Sequence, residues 1–228
     1  MSMVPEAYFD CLHIASELDA PLAGVTRIEL QRIAFLSCLL SIYIAKPVSD
    51  WGYKFANTGS GIPFSSDLGN AVEFMLSSGS LKDEHGRLRI TDKGRLMIQQ
   101  LCGLHTIAPR ITCVSAAAAS LLALPSSVVT QGLEQEPTTA ASQIRDGATI
   151  LLDEPHLHIL HQHFSVLAQV IPPGNTDLLS PSVLWLTYMA HEKTEQAELI
   201  ADTSQGGSVV QPAEHAQSQL PPLPEGAS

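Results

Sequence analysis

Apolar residues recur every three to four positions over much of the first hundred residues, a spacing that predicts a series of amphipathic helices. Over residues 3–19 the apolar stripe consists of Tyr8, Leu12, Ala15 and Leu18. The next predicted helix, over about 27–45, is apolar nearly all round, so we expect it to occupy a central position. Thr26 and Glu29 have the spacing of a capping box at its start.

A β-hairpin is predicted between two further helices. Leu81, Leu88 and Ile90 flank a polar tip, DEHG at 83–86, and this pattern is typical of two short strands joined by a tight turn. A helix should end at Gly79 before the hairpin, and another should begin at Thr91 after it. A hairpin framed by helices in this order is the layout of a winged-helix domain, in which the hairpin is the wing.

The second half of the chain also predicts helices. We expect one over 107–124, a polar linker from Pro125 to Thr138, a short helix over 139–146, and two longer ones beginning near Asp153 and Ser180. The fold class is therefore mainly α. Three parts are expected: a winged-helix domain with an N-terminal helix (1–105), an α-helical C-terminal region (106–202) and a disordered tail (203–228).

Composition narrows the range of partners. Only 15% of the residues are charged, and the net charge is −11. Residues 1–104 contribute nine Lys/Arg and eleven Asp/Glu, whereas residues 105–228 contribute three and twelve. Such an acidic second half repels phosphate backbones, so nucleic-acid contact is expected only from the first half. Four cysteines lie among apolar neighbours, and no signal peptide is recognisable, which favours a soluble cytoplasmic protein with buried thiols.

The stretch ATILLDEPHLHILHQ (148–162) is similar to the Mg²⁺-binding strand of ABC-type ATPases, because apolar residues precede Asp153, Glu154 and Pro155. Such an enzyme also needs a glycine-rich loop that ends in Lys-Ser/Thr. Only Lys193 precedes a Ser or Thr, and the residues before it contain no glycine. We therefore predict no ATP hydrolysis and interpret Asp153 as the N-cap of a helix.

Four histidines, His156, His158, His161 and His163, follow within eight residues. Imidazoles bind Zn²⁺ or Ni²⁺, but the spacing contains no HxxxH pair and places His158 and His161 away from the other two on a helix. We expect partly exposed histidines beside an apolar stripe rather than a metal site, and no cofactor. A hydrolase or metalloprotein that uses this cluster, or a pH-sensitive interface, remains a lesser alternative.

Residues 27–104 resemble winged-helix proteins, chiefly through the junction LRITDKG (88–94) between the wing and the last helix. With the apolar helix and the segment KPVSDWGYKFANTGSGIPFSSDL (46–68), the pattern also resembles the middle component of bacterial ABC three-component defence systems of the SMC-associated Lamassu type. That resemblance implies a non-enzymatic adaptor. It would bridge an SMC/Rad50-like ATPase and an effector nuclease in anti-phage or anti-plasmid defence.

The alternative function is a DNA-binding transcription regulator. The helix before the wing contains Asp67 and Glu73 but no Lys or Arg, so it is a poor reader of base edges. Nucleic-acid contact would then depend on the wing and the turn after it, through Lys82, Arg87, Arg89, Lys93 and Arg95. Charges of both signs occur there, however, which also fits an ordinary solvated face.

A protein partner would need an apolar contact surface instead. Large apolar and aromatic side chains are the usual anchors of such surfaces. The residues proposed for a partner interface are Trp51, Tyr53, Phe55, Leu157, Leu160, Phe164 and Trp185.

Overall fold

The computed structural model describes residues 4–57, 61–143, 148–173 and 177–191, and the fold over these residues is mainly helical. The helices are α1 (Pro5–Leu22), α2 (Arg27–Tyr43), α3 (Ser66–Ser78), α4 (Asp92–Cys102), α5 (Ala108–Ala123), α6 (Ser126–Glu134), α7 (Pro137–Gln143), α8 (Glu154–Val170) and α9 (179–191). The strands are β1 (Ala56–Asn57), β2 (Pro63–Phe64), β3 (Leu81–Glu84), β4 (Arg87–Ile90) and β5 (Thr149–Ile150).

Helix α2 lies at the centre, as its all-round apolar sequence predicted. The expected capping box is present: Glu29 N–H donates to Thr26 Oγ1 at 3.2 Å, and Thr26 N–H donates to Glu29 Oε2 at 2.8 Å. Gln31 exchanges two hydrogen bonds with the backbone of Ser65. This buried side chain therefore fixes the residue that precedes α3 against the central helix.

Strands β3 and β4 form the predicted hairpin, with Glu84 paired to Arg87 and Leu81 to Ile90. The two-residue turn has positive φ angles at His85 (57°) and Gly86 (82°), which is the geometry of a type I′ turn. Val25, just before α2, forms an antiparallel bridge to Leu88 of β4. A second small antiparallel sheet, in the order β2-β1-β5, joins residues 56–64 to the segment before α8.

The linker predicted from Pro125 to Thr138 is wrong, because α6 occupies most of it. Val129 and Leu133, one helical turn apart, are both buried. A Cβ atom added at Gly132 would lie 2.7 Å from the Leu186 carbonyl oxygen, so α6 packs closely on α9 at this position. The pattern was overlooked because only these two large apolar residues mark the buried face. Helix α5 confirms the prediction over 107–124.

One hydrophobic core includes residues of every described helix except α7, whose buried residues Thr138, Thr139 and Ser142 are polar. The chain forms one compact unit over Met1–Thr194. The boundary expected between residues 105 and 106 falls inside that unit, where α5 packs on α1 and α2. The tail predicted from 203 and the end of the helix predicted to reach Ile200 lie outside the described residues.

Two other expectations concern solvent exposure. Cys11, Cys38 and Cys113 are buried free thiols, but Cys102 is exposed at the end of α4, which corrects the prediction for that residue. Among the described residues, one helical stretch, His105–Ala123, is long and apolar enough to cross a membrane. Part of this stretch belongs to the core, where the buried hydroxyl of Ser120 donates to Ser182 of α9 at 2.7 Å. The fold is therefore compatible with a soluble protein.

Candidate interaction surfaces

The basic residues of the hairpin and of α4 are bonded within the chain. Arg89 donates to Asp19 at 2.9 Å and to Glu84 at 3.1 Å, and Arg95 donates to Asp19 at 2.7 Å. Burial of the Asp19 carboxylate opposes its ionisation, but the hydrogen bonds from the two arginines outweigh this effect, so the pKa of Asp19 is lowered. The two guanidinium groups thus serve to attach the hairpin and α4 to the end of α1.

The other three cations predicted to contact nucleic acid also have partners. Arg87 donates to the Gly24 carbonyl at 2.8 Å and lies 3.5 Å from Glu29. Lys93 donates to the Ser78 carbonyl at 2.6 Å. Lys82 forms an ion pair with Glu84 at 2.5 Å, and both side chains are well exposed. Exposed pairs of this kind contribute little and exchange readily, so Lys82 is the hairpin cation most available to an outside anion.

The aromatic residues proposed for a partner interface on the loop after α2 are instead part of the core. Trp51, Tyr53 and Phe55 are all nearly inaccessible to solvent. Phe55 packs edge-on against Phe35 of α2, with 5.1 Å between ring centroids, and contacts Tyr53 at 5.3 Å. The alternation of aromatic and polar residues from 51 to 55 therefore reflects burial against α2, and these side chains cannot form an outer surface in this fold.

The same correction applies to most of the proposed residues in α8 and α9. Leu160, Phe164 and Trp185 are buried, and Leu157 is half-buried. Phe164 contacts Trp185 with 5.5 Å between ring centroids and packs against Tyr43 of α2 at 5.7 Å. These residues attach the two C-terminal helices to α2 and to each other. The candidates for a partner interface are therefore the exposed residues beside them.

Those neighbours form an apolar groove between α8 and α9, which we call the C-terminal groove. It has a volume of about 380 Å³. Val166 and Val170 on α8 are 63% and 69% exposed, and Leu184 and Tyr188 on α9 are 42% and 54% exposed. Gln162, His163, Leu167 and Trp185 complete its lining. A contiguous apolar surface of this kind is typical of interaction sites on soluble proteins.

Sequence reasoning missed Val166, Leu184 and Tyr188. The stripe through Leu160 and Phe164 identifies the face of α8 that is buried, but Val166 lies at the edge of that face. A signal was present, since Val166 and Val170 are one turn apart and extend the apolar arc of α8 beyond the width that a core contact needs.

The helix predicted to begin near Asp153 is present as α8, with Asp153 at the predicted N-cap position. Asp153 occupies the N-cap position of α8, yet its side chain makes no capping bond and contacts Nδ1 of His156 instead. Thr149 and Ile150 form strand β5 and pair with β1. The apolar residues before Asp153 therefore belong to a short edge strand and to the core, where Leu151 and Leu152 are buried.

The histidines of α8 have separate environments. His156 is buried beside Asp153, whereas His158 is exposed and contacts Gln162 at 3.1 Å. Within the described ranges, no group of three His, Cys, Asp or Glu side chains has an arrangement that could hold a metal ion.

A Ser–His–Glu group between α1 and α5 has the residue types of a hydrolase triad but not its geometry. His13 Nε2 lies 3.0 Å from Ser115 Oγ and 3.5 Å from Glu17 Oε1. In a working triad the serine and the carboxylate contact opposite ring nitrogens, so that the imidazole can accept one proton while the acid orients it. Here Ser115 and Glu17 both contact the same ring nitrogen, Nε2 of His13. We therefore interpret this group as a hydrogen-bonded contact between α1 and α5.

Comparisons of this chain with protein families, with curated proteins and with solved structures find no match.

Proposed function

We propose that this protein is a non-enzymatic accessory subunit built around a winged-helix domain, which bridges an SMC/Rad50-like ATPase and an effector nuclease in anti-phage or anti-plasmid defence. The observation that carries the proposal is the C-terminal groove, an exposed apolar surface on two helices that are themselves firmly attached to the core. Rigid helices with an apolar groove are a common way to bind a partner helix.

The order of elements supports the winged-helix assignment. Helix α1 is followed by the bridging residue Val25, then α2, α3, the hairpin and α4. The isolated bridge from Val25 to Leu88 places an extended residue beside β4, so the order across the hairpin is Val25, β4, β3. A winged-helix domain has this same strand order, with its first strand between the first two helices.

The internal bonding of the hairpin cations favours a protein partner over DNA. A helix that reads bases needs Arg or Lys side chains directed at the groove. Helix α3 contains neither, and Glu73 on its surface pairs with Arg27 at 2.6 Å. The remaining alternative, a DNA-binding regulator, would depend mainly on Lys82.

The adaptor proposal predicts that an SMC/Rad50-like ATPase is encoded beside this gene, and co-purification with that ATPase tests it. The double variant Val166→Asp plus Val170→Asp places two carboxylates in the C-terminal groove and should abolish recovery of the ATPase. Ser165→Asp plus Gln169→Asp is the matched control, because both residues are exposed on the same helix, one turn apart, but do not line the groove. Equal recovery with both variants would reject the groove as the interface, and no recovery with the wild type would reject the adaptor.

The regulator alternative is tested by duplex DNA binding at low salt. A phosphate contact through Lys82 predicts that Lys82→Ala weakens binding about equally on all sequences and reduces the salt dependence. Arg89→Ala is a poor probe, because it would also remove a partner of the buried Asp19. Absence of binding at low salt would eliminate the alternative.

A further inference from the structure

The small sheet β2-β1-β5 has an apolar outer face. Phe64 and Ile150 are both paired with Ala56 of the middle strand, so the three side chains form one row on the same face. Phe64 is 43% exposed and Ile150 is 52% exposed. At the next register position, Pro63 and Asn57 are buried, so the other face of the sheet belongs to the interior.

A pocket of about 250 Å³ adjoins this row, between the start of α2, strand β2 and helix α3. Its lining is mostly apolar and includes Ile28, Phe64 and Val72. Ile28 is 50% exposed and extends the apolar surface from the sheet to α2. A cavity of roughly 150 Å³ holds benzene, so this pocket has room for one aromatic side chain. We call the pocket and the row of Phe64, Ala56 and Ile150 the outer sheet surface.

Gly69 of α3 also lines the pocket, although the fold does not require a glycine there. Its φ is not positive, and its N–H donates to the Ser65 carbonyl at 3.2 Å, as in an ordinary helix. Among the described residues, a Cβ atom added at Gly69 would meet only the Phe64 ring, at 4.0 Å, which is normal van der Waals contact. Alanine would therefore fit and would favour the helix. A glycine that keeps the pocket open indicates close approach by a ligand.

Two cations beside this surface have no carboxylate partner among the described residues. Lys54 is exposed and precedes β1, and the alternation along this strand, in which Phe55 is buried, places Lys54 on the same side as Ala56. Arg32 lies one helical turn after Ile28 on α2, so the two side chains are neighbours on the helix surface.

The carboxylates closest to this surface are paired or lie on another side. Glu73, one turn after Gly69, pairs with Arg27 of the pocket lining at 2.6 Å. Asp67 is two residues from Gly69 and is therefore about 200° away from it around α3. Asp153, beyond strand β5, contacts His156. The two unpaired cations consequently leave the outer sheet surface positive, and a complementary partner carries carboxylates.

We propose that the outer sheet surface binds a protein segment in which an aromatic side chain is flanked by carboxylates. The aromatic ring enters the pocket beside Gly69, and the carboxylates pair with Lys54 and Arg32. An adaptor needs two separate surfaces, and this pocket shares no lining residue with the C-terminal groove. The inference thus rests on the proposed function: the segment belongs to the effector, and the groove binds the ATPase.

A synthetic peptide of one tryptophan between two pairs of glutamates, the acidic tryptophan peptide, tests this surface. The reporter is the Ile28 methyl signal in protein with ¹³C-labelled isoleucine methyl groups, which Ile28→Val assigns. At about 5 mM, where a ligand of millimolar affinity occupies most sites, the peptide should shift this signal.

Two control peptides isolate the ring and the charge. Alanine in place of tryptophan removes the ring, and lysines in place of the glutamates reverse the charge. Each should give less than about one fifth of the shift. No shift with the acidic tryptophan peptide, or a comparable shift with either control, would overturn the proposal.

Gly69→Leu separates binding from folding. Leucine fills the pocket and favours the helix, so the thermal midpoint should not fall, while the affinity for the acidic tryptophan peptide should decrease at least about tenfold. Asn70→Leu is the matched control, because Asn70 is exposed on the same helix but does not line the pocket. If Gly69→Leu does not fold, Gly69→Ala should weaken binding about threefold. Unchanged affinity in the folded variant would refute the site.

Lys54→Glu with Arg32→Glu tests the charge and should also weaken peptide binding at least about tenfold. Lys46→Glu is the control, since Lys46 is exposed but lies outside this surface. Equal affinity in the double variant and the control would reject an acidic partner. These measurements do not involve the ATPase. Failure to recover the ATPase with the wild type therefore rejects the adaptor alone, whereas its recovery without peptide binding rejects this surface alone.

Discussion

Helix α1 carries two aspartates, Asp10 and Asp19, that are both paired with arginine, and their surroundings have opposite effects on ionisation. Asp10 is fully buried, and desolvation raises its pKa although Arg110 and Tyr53 oppose the effect. The pKa of Asp19 is lowered, because hydrogen bonds and charge from two partly exposed arginines outweigh the burial of its carboxylate. The same residue type and the same partner therefore give opposite shifts, depending on how much water is excluded from the pair.

The two pairs also determine what their arginines can do. Arg89 and Arg95 are bonded to Asp19, which reduces their value as phosphate contacts. Arg110 is bonded to Asp10 on one side but still lines a cavity on the other. Arg110 thus joins α1, α5 and the loop after α2 inside the core, whereas the partly exposed Arg89 and Arg95 attach the hairpin and α4 to the end of α1.

The largest expected effect comes from removing Arg110. In Arg110→Ala the carboxylate of Asp10 remains buried without its cation, and breaking a buried pair in this way costs about 3–5 kcal/mol. The free energy of unfolding in urea measures the loss. Arg95→Ala is the comparison variant and should cost far less, because Asp19 keeps Arg89. Equal losses would mean that burial does not distinguish the two pairs.

A smaller loss is expected when the whole buried group is replaced. Asp10→Leu with Arg110→Met removes both charges, and Tyr53→Phe is added because the Tyr53 hydroxyl donates to Asp10 at 2.5 Å. Apolar replacement of a complete buried pair is often nearly neutral, so this triple variant should recover at least about 2 kcal/mol relative to Arg110→Ala. A triple variant as unstable as Arg110→Ala would show that packing, rather than an unpaired charge, causes the loss.

The group formed by Asp19 with the partly exposed Arg89 and Arg95 should contribute less still. Asp19→Asn keeps the shape of the side chain but removes the charge that bonds Arg89 and Arg95. Both arginines are partly exposed, so the expected loss at neutral pH is about 1 kcal/mol, measured as before by urea unfolding. Asp92→Asn, whose carboxylate is fully exposed and lies 3.9 Å from Arg95, is the control and should have no measurable effect. If Asp19→Asn lost more unfolding free energy than Arg110→Ala, the group around Asp19 would contribute more than the buried pair, contrary to expectation.

The polar and apolar pattern predicted the parts of the fold that depend on local spacing. Thr26 and Glu29 located the start of α2, and the tip at 83–86 located the hairpin. The pairing of Asp10 with Arg110 was missed because it joins residues 100 apart, although each is a lone charge in an apolar segment. Two such charges of opposite sign were a usable signal for a buried pair. Periodicity also cannot say which element covers an apolar face, which is why Phe164 was expected outside and Val166 was overlooked.

The smallest expected effect is a difference in the pH dependence of stability. The ordinary pKa of both carboxyl groups is 3.8. For Asp19, whose folded pKa is lowered, stability relative to Asp19→Asn is fully present above 3.8 and is lost as the pH falls through the folded value. For Asp10, whose folded pKa is raised, the stability relative to Asp10→Asn is fully present below pH 3.8 and is lost as the pH rises through the folded pKa.

The two difference curves, wild type minus variant, should therefore slope in opposite directions in the acidic range. Urea unfolding from pH 3 to pH 7, in steps of about one pH unit, is sufficient to compare their signs. His13 also faces Asp10 and its pKa is lowered by burial, so His13→Gln in both backgrounds removes its titration from the comparison. Slopes of the same sign would mean that the arginine outweighs burial at both positions, and that Asp10 holds Arg110 as a full carboxylate throughout.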